Sequence, residues 1–168
     1  MAGFVNKFYS LGYNVLAADA RAHGDSEGTK IGMGWPERFD VIEWIKLIIS
    51  WNSNAQIILH GVSMGAATVL MASGEELPEN VKAIIADCGY TSEWDEFKCE
   101  ANALHIPWFP VLNAASVMSR LRDGYDFKQA SALEQVKQSR IPTLFIHGSD
   151  DELVPYSMLD KPVSYTHL

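Results

Sequence analysis

Positive charge and cysteine are both scarce in this sequence. Lys and Arg number 13 against 21 Asp and Glu, a formal net charge of -8. No stretch gathers Lys or Arg into a patch able to follow phosphates, so nucleic acid is not an expected partner. The acidic residues are scattered, the pattern of a solvated surface. Two cysteines, Cys88 and Cys99, are too few for the disulfide framework of a small secreted domain. They also lack the companion ligands of a zinc site, so two reduced thiols in or near the core are expected and no metal is implied. No run approaches the roughly 18 apolar residues of a membrane span. The opening MAGFVNKFYS has neither the basic start nor the apolar block of an export signal. No repeat, low-complexity segment or second domain is visible. What remains is the composition of one ordinary soluble domain: 168 residues, 48% apolar, with a mean hydropathy of -0.03. Compartment stays open, with cytoplasm the default, and oligomeric state is not legible.

Helical and strand patterns alternate along the chain. A helical stretch at 3–11 stops at Gly12, and YNVLAA at 13–18 reads as a short buried strand. A loop rich in Gly, Asp and Ser follows at 19–35. From Pro36, apolar residues Val41, Trp44, Ile45, Ile48 and Ile49 recur at helical spacing, with the proline suited to a first turn. QIILH at 56–60 is a second strand, leading within three residues into a small-residue helix over 63–73, stopped at Gly74. VKAIIA at 81–86 and TLFI at 143–146 complete the strands. Each is apolar on both faces, which predicts an α/β fold: a mostly parallel sheet covered by helices on both sides, with right-handed crossovers. About fifty residues at 88–140 separate the last two strands and carry helical patterns at 94–104 and 114–121. That is too long for a plain crossover and predicts an inserted helical lid or elaborated loop.

The chemistry centres on Gly61-Val62-Ser63-Met64-Gly65, a G-x-S-x-G at the junction of strand and helix. A turn that sharp strains the serine and predicts glycine on both sides of it. Ser63 is the candidate nucleophile, with the Met64 N–H and the helix N-terminus placed to stabilise an oxyanion. The bland alternative is a helix N-cap with glycines that serve only packing. A second constellation, His147-Gly148-Ser149-Asp150-Asp151-Glu152-Leu153-Val154-Pro155, follows the last strand, with Asp151 placed 88 residues after Ser63. A carboxylate at the end of a neighbouring strand is well placed to orient a histidine base. Its bland reading is a loop-capping aspartate.

These motifs, in this order, resemble the α/β-hydrolase superfamily, specifically its bacterial serine hydrolases of the esterase, lipase and S33-type or S9-type peptidase groups. In that family the H-G-x-x-D-x-x-V-P pattern puts the acid at Asp151. Asp150, one residue short of the spacing, and Asp87, at the end of the third strand, remain alternatives. Asp19-Ala20-Arg21-Ala22-His23-Gly24-Asp25-Ser26 is similar to the family's D-x-R-G-H-G-x-S loop, with Ala22 where glycine is usual and His23 a structural residue. The resemblance covers residues 1–160 as a partial hydrolase domain, with the insertion at 88–140. Residues 161–168 look like a non-native tail.

The resemblance implies a catalytic histidine after a further helix and strand beyond the acid, which together need about 25 residues. Only 17 residues follow Asp151, and their one histidine, His167, sits in a stretch with neither pattern. His60, His105 and His147 are better read as packed or solvated than as bases. The family's second oxyanion N–H comes from a loop preceding the first helix of this sequence. The expectation is therefore a hydrolase truncated at both ends, inactive and prone to fold poorly or associate by itself. For the whole protein the resemblance implies a serine esterase acting on a small acyl substrate through an acyl-enzyme, with no cofactor. A serine peptidase or other acyl-transfer enzyme, and a non-catalytic binding protein, are the alternatives. Trp94, Phe97, Trp108, Phe109 and Tyr125 are candidates for an apolar substrate pocket or for packing of the insertion.

Overall fold

The structure, a computed structural model, describes residues 2–164. It divides into two compact units, Met1–Ile31 and Gly32–Leu168. In the first, helix α1 (Ala2–Ser10) ends where Gly12 turns to φ +91°, a left-handed conformation open to glycine. The strand expected at 13–18 does not form. Tyr13, Val15 and Leu16 are exposed, and this backbone joins no ladder. An apolar run describes what a strand would bury, but a strand exists only where a neighbour takes up its N–H and C=O groups.

The loop that follows is tied to itself. The Asp19 carboxylate accepts from the Asp25 amide at 3.1 Å, and the Asp19 carbonyl accepts from the Ser26 hydroxyl at 2.7 Å. Ala22 takes φ +58°, which explains why glycine suits this position in the resembling pattern. One ring nitrogen of His23 lies 2.9 Å from the Arg21 carbonyl, as befits a structural residue.

The second unit is built on three parallel strands in the order β1 (Ile57–Val62), β2 (Val81–Asp87), β3 (Thr143–Ile146). Helix α2 (Glu37–Trp51) starts after Pro36, whose fixed φ and missing N–H suit a helix entrance. Helix α3 (Met64–Ala72) has almost no amphipathic character, and Ala66 to Ala72 are all buried. Its small residues let it lie close on β1 and β2, with α2 and the short α6 (Ala132–Val136) packed against it. Ile45, Leu59, Ala66, Leu70, Met71 and Ile84 form the centre of the core.

Register separates the two faces of the sheet. Leu59, Ile84 and Thr143 stand in one row and are buried, whereas the next row, His60, Ile85 and Leu144, points the other way. On that second face Ile58, Leu144 and Ile146 are 42%, 51% and 44% exposed. Helices covering both faces were expected; among the described residues one face is covered and the other is open. Doubly apolar strands state that a second cover suits them, not which segment supplies it.

The insertion carries α4 (Glu93–Ala103), close to its expected place, and α5 (Trp108–Asp123), which contains the expected 114–121 but begins well before it. Its two ends are sewn together: Glu93 N–H bonds Ala130 O at 2.9 Å, Trp94 N–H bonds Phe127 O at 3.1 Å and Leu133 N–H bonds Thr91 O at 3.0 Å. Ser92 and Ser131 face each other in an isolated bridge and cap α4 and α6 by accepting from the Asp95 and Glu134 amides. The last described helix is α7 (Ser157–Val163). No helix among the described residues is long and apolar enough to cross a membrane.

Candidate active site

Ser63 occupies the single residue between β1 and α3, at φ 53° and ψ -119°. A β-carbon in that region is strained, at a cost of order 1–3 kcal/mol. An N-capping serine has ordinary extended angles and uses its hydroxyl on the helix; Ser63 has neither, for it makes no side-chain cap bond. Its side chain is exposed. The first helix bond runs from Ala67 N–H to Ser63 O at 3.0 Å, so the amides of Met64, Gly65 and Ala66 precede the α3 ladder. These donors, with the helix dipole behind them, favour negative charge beside the hydroxyl.

The two flanking glycines differ. A Cβ on Gly61 would lie 2.1 Å from the Gly65 carbonyl oxygen and 2.6 Å from the Ala66 nitrogen, so strand and helix meet only because it is absent. A Cβ on Gly65 would meet nothing within 4 Å. The expectation that both positions require glycine is corrected: the close approach of strand and helix constrains Gly61 alone.

The ends of the strands converge here. The Ser63 amide donates to the Asp87 carbonyl at 2.8 Å, and the Cys88 amide to the Ile146 carbonyl at 2.8 Å. Cys88, at φ 47°, follows β2 and lies within reach of the Ser63 backbone and of Asp151. Burial first, then the charges of Asp87 and Asp151, push its thiol pKa up, while the Ser63 backbone hydrogen bond pulls it down. Both Cys88 and Cys99 are free and half-buried. Sequence reasoning placed Cys88 in or near the core; its position beside Ser63 depends on the parallel register of three strands, which no local motif encodes.

Asp151 lies in the loop after β3. Its Oδ1 accepts from the Leu153 and Val154 amides, both at 3.0 Å, leaving Oδ2 3.7 Å from His147 Nε2. That nitrogen lies 2.7 Å from the Val154 carbonyl, and the His147 side chain is 1% exposed. His147 thus braces the loop after β3, in agreement with a packed residue. Asp150 is exposed, with its carboxylate near its neighbour Ser149. Asp87 is half-buried at the end of β2. Burial lowers the His60 pKa against the opposing charge of Asp87. Among the described residues no hydrogen bond joins Ser63 to Asp151, whose carboxylate is held by the Leu153 and Val154 amides. His167 lies outside the described residues.

The aromatic residues of the insertion meet one another. Trp94 packs edge-on against Trp108 with centroids 6.4 Å apart, Trp108 against Phe109 at 6.2 Å and Phe97 against Phe127 at 5.0 Å. Tyr125 lies against Trp35 at 6.4 Å. Packing within the unit accounts for most of this ring surface, although Phe109 is 66% exposed.

A profile described as alpha/beta hydrolase fold matches residues 2–112. An uncharacterized Bacillus subtilis (strain 168) protein, YqkD, is 31% identical over 160 residues, covering 94% of this chain and 52% of the relative. The lysophosphatidylserine lipase ABHD12 of Macaca fascicularis is 29% identical over 150 residues, covering 89% of this chain and 37% of the lipase. The Pyrococcus furiosus esterase Pf2001 superposes with a TM-score of 0.72 at 24% identity, covering 98% of this chain and 61% of the esterase. A Pyrococcus horikoshii acylaminoacyl peptidase gives 0.57 at 17% identity, covering 79% of this chain and 21% of the peptidase. The chain thus spans about half or less of the curated relatives it matches. It belongs to the alpha/beta hydrolase fold family.

Proposed function

We propose that the whole protein is a serine hydrolase that cleaves carboxylic esters. The observation that carries this reading is the Ser63 elbow: a strained, exposed serine whose hydroxyl does not cap the helix it precedes. In this reading Ser63 Oγ attacks the acyl carbon as its proton passes to a histidine base, and the carbonyl oxygen becomes an oxyanion held by the Met64 N–H. Collapse of that intermediate breaks the ester C–O bond, and the alcohol leaves with the proton from the base. Water then attacks the acyl-enzyme, giving its proton to the same base, which returns one to Ser63 as the acid departs. Asp151 orients the base through Oδ2. The base belongs to the whole protein, so in this reading the 168 residues by themselves are inactive. Support for a lipid or other apolar ester comes from a relative named as a lipase and a fold neighbour named as an esterase.

The test is to purify the full-length protein and its Ser63→Ala variant and expose both to a serine-reactive phosphonate, short-chain esters and a panel of acylated peptides. Labelling and ester turnover that vanish in the variant would support the reading. Turnover of peptides but not esters would move the activity to peptidase. A folded protein that neither labels nor turns over would leave the fold with a binding role.

A further inference from the structure

The first turn of α4 holds three acidic residues, Glu93, Asp95 and Glu96. Acids at a helix N-terminus are ordinary when solvated, because the dipole favours them. Asp95 fits that account, taking the Thr91 hydroxyl at 2.5 Å. Glu93 and Glu96 do not: they are 3% and 6% exposed, and Oε2 of each is buried without a hydrogen-bond partner.

What faces them is also acidic. Glu93 is opposed by Glu37 from α2 and by Asp123 from the end of α5. Both Glu37 oxygens are already occupied, by the Gly32 amide at 2.7 Å and the Gly34 amide at 2.9 Å. Glu96 is opposed by Glu100 on its own helix and by Asp151 from the candidate site. Tyr90 lies within reach of the charges of Glu96, Glu93 and Glu37, but its hydroxyl donates to the Met33 carbonyl at 2.8 Å. The Tyr125 hydroxyl points at the Gly32 carbonyl. Cys99 senses Glu96 as well.

Among the described residues neither Glu93 nor Glu96 forms an ion pair, and cations of the same unit are engaged with other groups. Arg38 pairs with Glu75 and stacks on Trp35, Lys98 and Lys128 lie over Trp108 and Trp94, and Arg120 pairs with Asp126. Two buried carboxyl groups among like charges, each with one orphaned oxygen and, among the described residues, no ion-pair partner, favour the protonated form.

We propose that Glu93 and Glu96 form a proton-dependent latch that holds the first turn of α4 against the body of the unit, beside the acid loop. Protonated, both side chains stay buried and α4 is docked. Ionised, they are drawn toward water and the turn loosens, giving up the Glu93 and Trp94 bonds that sew the insertion together. Burial, then the Glu37 and Asp123 charges, lifts the Glu93 pKa to about 8. Burial, then Glu100 and Asp151, lifts Glu96 to about 7. The latch is therefore shut in mild acid and opens as pH rises through neutrality. The latch itself does not depend on serine chemistry; only its consequence for access to Ser63 rests on the proposed function.

The experiment is hydrogen exchange on the full-length protein from pH 5.5 to 9, corrected for the intrinsic pH dependence of exchange, with α3 as internal reference. Since one pKa unit corresponds to a tenfold change in equilibrium, α4 protection is expected to fall about tenfold or more between pH 6 and 8.5. Protection of α3 should hold, and the Glu93→Gln/Glu96→Gln variant should stay flat in α4. Unchanged α4 protection, a parallel fall in α3, or the same fall in the double variant would overturn the latch. If that variant does not fold, carbon NMR titration of the two carboxyls in the native protein decides: titration of both below pH 5 overturns it, and titration near 7 to 8 supports it. None of these readouts uses Ser63, so this proposal and the hydrolase reading fail separately.

Discussion

Gly61 and Gly65 approach so closely that a side-chain carbon on the first would stand 2.1 Å from the carbonyl oxygen of the second. The contact is with backbone at the root of α3, which has no flexible end to give way. Gly61→Ala should therefore cost about 3 kcal/mol or more, or prevent folding. Gly65 has open space and ordinary helical surroundings, so Gly65→Ala should be neutral or stabilise by about 0.5–1 kcal/mol through lost chain entropy. Urea unfolding of the two variants measures the contrast, and equal costs would contradict the geometry.

Ser63 supplies a second contrast. Its φ of 53° is strained for any residue with a β-carbon, and the hydroxyl gives nothing back to the helix. Ser63→Gly should be about 1 kcal/mol more stable than Ser63→Ala. Thermal or urea denaturation of the pair is the measurement; an alanine variant as stable as the glycine variant would mean the elbow stores no strain.

These positions also show what the sequence could reveal. α2, β1, α3, β2 and β3 were readable to within a few residues because apolar spacing, Pro36, Gly61 and Gly74 all pointed the same way. α6 was missed, since its five residues are too short to show a helical period, and α7 has Pro162 inside it, a residue that argues against helix. The false strand at 13–18 and the open sheet face share one cause: hydrophobicity reports a need for burial and does not identify the partner. In the candidate site, the elbow was legible because a strained turn between strand and helix, with Gly61 against α3, is written in a local motif. Cys88 beside Ser63, and Glu96 facing Asp151, were not, because each comes from residues that only the folded register brings together.

Asp151 is proposed to do two jobs that different variants separate. Oδ1 holds the Leu153 and Val154 amides, and Oδ2 is the oxygen assigned to the base. Asp151→Asn keeps a carbonyl for the amides, so stability should hold while ester turnover of the full-length protein falls by about three to four orders of magnitude. Asp151→Ala should lose the same activity and in addition about 1 kcal/mol of stability from the emptied loop. Full turnover by the asparagine variant would move the acid to Asp87 or Asp150.

The two thiols offer a test that needs no substrate. Burial is the leading cause that raises the pKa of both Cys88 and Cys99, so each carries less thiolate at pH 7.5 than a free cysteine. Alkylation of the native protein by iodoacetamide should be slower at both sites than for a model thiol and should accelerate as pH is raised, with peptide mass spectrometry assigning each rate. Rapid modification of Cys88 at neutral pH would mean that the Ser63 amide outweighs burial there.

The buried acids make stability itself depend on pH. In the unfolded chain Glu93 and Glu96 release their protons near 4.5, whereas in the folded unit they hold them to about 8 and about 7. Between those values the folded state binds more protons, so each step up in pH favours unfolding. Their contribution is intact below about 4.5, declines as pH rises and is fully lost once pH passes about 8. The urea midpoint of the full-length protein should fall from pH 5.5 to 8.5, and Glu93→Gln should flatten that fall by removing the group with the larger displacement. The variant should gain on the parent as pH rises. A stability difference between them that stays constant from pH 5.5 to 8.5 would show that Glu93 titrates alike in both states, and the buried carboxyl would then require a partner that neutralises it.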